Sequence, residues 1–245
     1  KGSASMKFSV PDAGDPKGAY AGGAYFTSVG RDLRGYDALT FWAKASKSAT
    51  LDVLGFGNDF GESKFLTTPK GVKVNTNWQK YIIPIPDPSK LSQERGMFFY
   101  SEGPENDLGY TFWIDEMKFE KLGTIAHAKP VILDGQDQVL SVETGQQLNI
   151  GGLKVAFNLP TGIDQSVEAS PAFFTFTSSN PAVATVSSKG IVSVLDAGKA
   201  VVTATLGTLA ATGSMTLQSS GKAIGPETPA PTPTVKADSV ISLFS

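Results

Sequence analysis

The side chains able to do chemistry in this chain are aromatic rings, carboxylates and a few cations, most of them before residue 122. Cysteine is absent and His127 is the single histidine. A thiol nucleophile, a disulfide framework and a Cys/His zinc site are therefore excluded. A Ser-His-Asp triad would have to use His127, which falls in a segment read as a linker. Glycoside hydrolysis asks for two carboxyls about 5–10 Å apart across the scissile bond. Asp115 and Glu116 are neighbours on one expected strand and point to opposite faces, while Glu102, Glu105 and Asp107 sit in a Gly/Pro-containing loop and read as solvated. The sequence reads as non-catalytic.

Binding remains. A sugar presents apolar C–H faces and a rim of hydroxyls, so its site needs exposed rings beside groups that hydrogen-bond. On the expected strand 38–45, Leu39, Phe41 and Ala43 share one face, and Thr40, Trp42 and Lys44 the other. The first face reads as core; Trp42 is either a ligand platform or packs under a loop. Over 50–56, Leu51 and Val53 are expected inward, which puts Asp52, Leu54 and Phe56 on the Trp42 side. The loop 57–62 follows, where Asp59 and Glu62 either rim a cleft or serve as turn residues. Arg95, Tyr100, Glu102 and Tyr110 flank another loop. The candidate ligand-binding set is thus Trp42, Phe56, Asp59, Glu62, Arg95, Tyr100, Glu102 and Tyr110. On 110–119, Met117 and Phe119 mark a core face that strict alternation extends to Asp115, an inward carboxylate that needs a partner.

The elements that must position these groups are strands. Short β-branched and aromatic runs alternate with Gly, Pro, Asn and Asp clusters, and long amphipathic helical patterns are missing, so an all-β chain of two sandwiches is expected. At 245 residues the chain suits two domains. Residues 1–122 form the first, 123–133 a connector and 134–218 the second; there Ala200, Val202, Ala204 and Leu206 fall on one face. Residues 219–238, rich in Pro and Thr, read as an extended spacer, and 239–245 as the start of a further module. The hydrophobic fraction of 40% supports real cores, and a net charge of −2 with no basic run argues against nucleic acid. No apolar run is long enough for membrane insertion.

The stretch FTSSNPAVATVSSKGIVSVLDAGKAVVTATLG (176–207) resembles the bacterial Ig-like domain, group 2, with Phe176 where that family often has tryptophan. The stretches 33–46, 75–91, 95–102 and 109–122 resemble the jelly-roll-like, galactose-binding-like β-sandwich carbohydrate-binding modules of bacterial polysaccharide-degrading enzymes and surface glycan-binding proteins. The resemblances imply a polysaccharide partner, with a β-glucan favoured, and a spacer or adhesion role for the Ig-like part. They further imply an extracellular or cell-surface bacterial location and other domains of the same chain as partners. They cast Trp78 as structural and imply no cofactor beyond a structural calcium ion held by Asp115, for which a hydrogen bond or ion pair is the alternative. A structural or adhesive stalk without glycan binding is the competing function.

Overall fold

A computed structural model describes residues 4–223. The chain is all-β, as its turn-punctuated pattern requires: among the described residues only short 3-10 turns interrupt the strands, and no helix is long and apolar enough to cross a membrane. The first half contains β1 (Met6–Val10), β2 (Ala21–Arg31), β3 (Ala38–Ala45), β4 (Ala49–Leu51), β5 (Val53–Gly55), β6 (Thr67–Pro69), β7 (Val72–Val74), β8 (Gln79–Pro84), β9 (Glu94–Glu102) and β10 (Tyr110–Glu120). The second contains β11 (Ala126–Val131), β12 (Asp137–Thr144), β13 (Gln147–Asn149), β14 (Lys154–Asn158), β15 (Asp164–Ala169), β16 (Thr175–Ser178), β17 (Ala184–Val186), β18 (Ile191–Val194), β19 (Gly198–Leu206), β20 (Leu209–Ala210) and β21 (Ser214–Ala223).

In the first sandwich the antiparallel sheet β1-β10-β3-β8 faces the sheet β2-β9-β5, and β4 pairs with β7. Between the two sheets, Phe8 stacks on Phe112 and meets the Tyr100 ring edge-on, each at 4.7 Å, and Phe41 lies against Phe98 and Tyr81. Burying such rings is the main stabilising term of a small sandwich. Leu39, Phe41 and Ala43 are in this core, as the alternation of β3 predicts.

Two breaks in phase overturn expectations. The chain bends at Asp52, so 50–56 forms β4 and β5 with different partners. Beyond the bend Val53 is exposed, whereas Leu54 and Phe56 are buried rather than placed on the Trp42 side. In β10 a bulge lies between Asp115 and Lys118, with Glu116 at φ +50°. The extra residue moves Met117 and Phe119 to the inner side, while Trp113 and Asp115 stay outside. Asp115 is therefore not an inward carboxylate.

In the second half the sheet β12-β21-β19-β16 faces β13-β18-β17, and β12 pairs parallel with β21. Ala200, Val202, Ala204 and Leu206 are all buried. Residues 123–133, expected as a connector, contain β11, which pairs with β14 in the sheet β11-β14-β15-β6. The first residues of the expected spacer, 219–223, are strand instead, since β21 runs from Ser214 to Ala223; the rest of that spacer and residues 239–245 lie outside the described residues.

The fourth strand of that sheet, β6, comes from the first half. It pairs antiparallel with β15 through Thr67↔Ala169, Thr68↔Glu168 and Pro69↔Val167. Ser170 donates through its backbone N to Leu66 O at 3.0 Å and through Oγ to Lys64 O at 2.5 Å, and the Phe65 and Phe173 rings meet at 5.1 Å. The two halves are sewn together by backbone hydrogen bonds as well as by the covalent chain.

Candidate functional site

Side chains that point away from the core of β1-β10-β3-β8 are fixed by strand parity and by cross-strand register. Trp113 on β10 opposes Lys44 on β3 and Lys7 on β1; one residue pair along, Asp115 opposes Trp42, which in turn opposes Lys80 on β8. Trp78 immediately precedes β8 and reaches the same row. The Lys44 ammonium stands 5.3 Å from the Trp78 ring centroid and 5.1 Å from that of Trp113. All three tryptophans of the chain thus lie on one outer sheet face. Trp42 and Trp78 keep 37% and 38% of their surface open, and Trp113 is half-buried.

Electrostatics keep this face ordered. A cation over two indole faces is attracted by both ring quadrupoles, worth about 0.5–1 kcal/mol each at exposed sites. Among the described residues Lys44 makes no ion pair, so its N–H donors remain available. At the far end Glu120 accepts from Lys80 and Thr40 and pairs with Lys118 at 2.7 Å. The bonds from Lys118, Lys80 and Thr40 hold its carboxyl down at about 2. Asp115 accepts a hydrogen bond from Glu116 N at 2.8 Å. The arrangement offers flat apolar rings, two cations and a carboxylate on a pleated surface, the ingredients for stacking a sugar ring and bonding its hydroxyls.

The expected site residues are dispersed over three places. Trp42 is on this face. Asp59, Glu62 and Arg95 gather elsewhere, where the 57–62 loop meets the start of β9. There Arg95 Nε lies 3.5 Å from Asp59 Oδ2, and Asp59 Oδ1 caps Gly61 N and Ser63 N. These backbone bonds, the Gly61 one foremost, lower the Asp59 pKa against its partial desolvation. Buried Glu94 accepts from Arg95 N and Gly96 N, yet burial drives its pKa upward. The Phe26 and Phe60 rings stand edge-to-face at 5.6 Å, both exposed.

The remaining four are core residues or nearly so. Phe56 is fully buried and meets Phe119 at 5.7 Å. Tyr100 is largely packed between Phe8, Phe98 and Phe112. Glu102, expected in a solvated loop, is 1% exposed, and Tyr110 OH donates to it at 2.8 Å. Both Glu102 oxygens accept from Asp52 N, at 3.1 and 2.9 Å. Desolvation pushes the Glu102 carboxyl up to about 7 and, with the Glu102 charge, pushes Tyr110 far above its ordinary range. Arg95 stands seven residues from Glu102 at the other end of β9, so those two do not share a site.

Sequence reading missed Trp78 and Trp113 as members of the outer face. The signal was the phase conflict in β10: Phe112, Ile114 and Phe119 cannot all be core without an extra residue between them. His127 is exposed at φ +53° with Nδ1 2.9 Å from Asn158 Oδ1. Among the described residues no group of three or more His, Cys, Asp or Glu side chains is arranged to hold a metal ion.

Comparison with known proteins adds one family. The bacterial Ig-like domain (group 2) profile matches residues 161–223, from the turn before β15 to the end of β21. Curated proteins give no match. Among solved structures, the crystal structure of a β-1,2-glucanase from Parabacteroides distasonis aligns at 11% identity and a TM-score of 0.33, covering 88% of this chain and 32% of that one. The chain thus spans under a third of that enzyme's length.

Proposed function

We propose that the first sandwich is a non-catalytic polysaccharide-binding module, that its ligand lies across Trp42, Trp78 and Trp113, and that the Ig-like domain supports it within a larger extracellular or cell-surface bacterial protein. The observation that carries this is the gathering of all three tryptophans on one accessible sheet face with Lys44, which makes no ion pair among the described residues. Adjacent strands lie about 4.8 Å apart, so Trp113 on β10 and Trp78 beside β8 are separated by roughly 10 Å, a span that suits successive units of an extended glycan. Lys44 between them donates to hydroxyls, and Asp115 and Lys80 flank the Trp42 ring. A soluble β-glucan is the proposed ligand. The location follows the company that group 2 Ig-like domains keep on bacterial surface proteins.

The face supplies its own reporter. With every tryptophan in the site, ligand binding changes the intrinsic emission of the chain directly. Titration with a panel of soluble β-glucans, in parallel with affinity electrophoresis, is expected to give saturable emission change and retardation. Trp42→Ala and Trp78→Ala are expected to weaken both. Absence of any response to the whole panel sinks the reading. It then favours the second one, a structural stalk, which the β6–β15 seam and the Ig-like match support.

A further inference from the structure

A groove opens where the two sandwiches meet. The groove there has a volume of about 780 Å³, inside the range of ligand pockets, and domain junctions are where such pockets concentrate. Its floor is apolar: Phe65 comes from the approach to β6, and Phe174 and Phe176 come from the start of the Ig-like domain, their rings 6.2 Å apart. Its rim is polar, with the hydroxyls of Ser63, Ser187 and Ser188. Neither domain makes this groove alone, because the β6–β15 pairing and the Ser170 bonds to Lys64 and Leu66 bring its walls together.

The charge on the rim is one-sided. Lys64, Lys90 and Lys189 line it against a single carboxylate, Glu62, which sits 3.9 Å from Lys189. Lys90 donates to Ala172 O at 3.2 Å, which pins it across the seam, and Lys64 lies over the Phe65 ring. An excess of two positive charges over aromatic rings, in a chain whose net charge is −2, is a local feature and not a consequence of overall composition. Aromatic floor, hydroxyl rim and an excess of ammonium groups over carboxylates match a glycan that carries carboxylates. We infer that the seam groove binds an acidic polysaccharide, a uronate-containing chain, by stacking its sugar rings on Phe65 and Phe176 and pairing its carboxylates with Lys64 and Lys189. The site is separate from the tryptophan face and gives the Ig-like domain a share in recognition.

The test uses the full chain in affinity gels containing polygalacturonate, with a neutral β-glucan gel in parallel. Retardation by polygalacturonate is expected, weakened about tenfold in the double variant Lys64→Glu, Lys189→Glu. It should persist in Trp42→Ala, Trp78→Ala, which reports on the other face. A control with the same charge change outside the groove, Lys73→Glu, Lys199→Glu, should leave it intact. Both lysine pairs are exposed, so folding is retained. No retardation by polygalacturonate overturns the inference, as does equal loss in the control variant. Equally tight binding of polyglutamate overturns the assignment to a glycan. Failure on the neutral glucan alone bears only on the tryptophan face.

Discussion

Glu102 sits at the end of the first sandwich with its carboxyl enclosed by Tyr110 and the Asp52 backbone, and the consequence is a defined pH dependence of stability. Burial is the largest influence and raises its pKa from 4.5 to about 7, against the hydrogen bonds from Tyr110 and Asp52 N, which lower it. The folded state therefore holds the proton more tightly than the unfolded chain. This contribution is fully present below pH 4.5, is lost as pH rises through the interval to about 7, and is flat above. The interval corresponds to about 3 kcal/mol. Glu102→Gln keeps the shape and still accepts from Asp52 N, but it cannot ionise. The difference in unfolding free energy between wild type and Glu102→Gln, from urea titrations at matched pH, should fall by about 3 kcal/mol between about pH 4 and pH 8. A constant offset from the amide cancels in that comparison. Tyr110→Phe removes a bond that favours the ionised form, so it should extend the window to higher pH. A difference that stays constant within about 0.5 kcal/mol across this range would refute the reasoning, because the carboxylate would then be solvated in the folded state.

Two further outcomes follow from the geometry. A Cβ at Gly55 would stand 1.9 Å from Thr67 O, so Gly55→Ala must push β6 off β5 and disturb the seam; a loss of about 3 kcal/mol in urea unfolding is expected, and a loss below about 1 kcal/mol would mean that β6 yields freely. Lys44→Gln removes the cation from between Trp78 and Trp113 and should shift the tryptophan emission while changing stability by only about 1 kcal/mol; unchanged emission would count against the clamp.

The Ig-like character of the second half was legible as a family resemblance carried by residues 176–207, whereas sequence periodicity alone determined the all-β class and the inward sets Leu39/Phe41/Ala43 and Ala200/Val202/Ala204/Leu206. The class and these sets rest on period-2 alternation or turn residues within a single strand, which are local properties. The outward set of β3, with Trp42, was legible for the same reason. Phe56 and Asp115 were misplaced because a bend at Asp52 and a bulge at Glu116 reverse the phase of an unbroken pattern, and neither leaves a glycine or proline as its mark. Only the tertiary structure decided that Trp78, Lys44 and Trp113 form one row, since cross-strand register joins residues far apart in sequence. It also decided that Glu102 is buried beneath Tyr110, and that three residues, Thr67–Pro69, leave one sandwich to complete a sheet of the other. Such pairings are set by which edges and faces meet when the cores close, and a one-dimensional pattern carries no record of that.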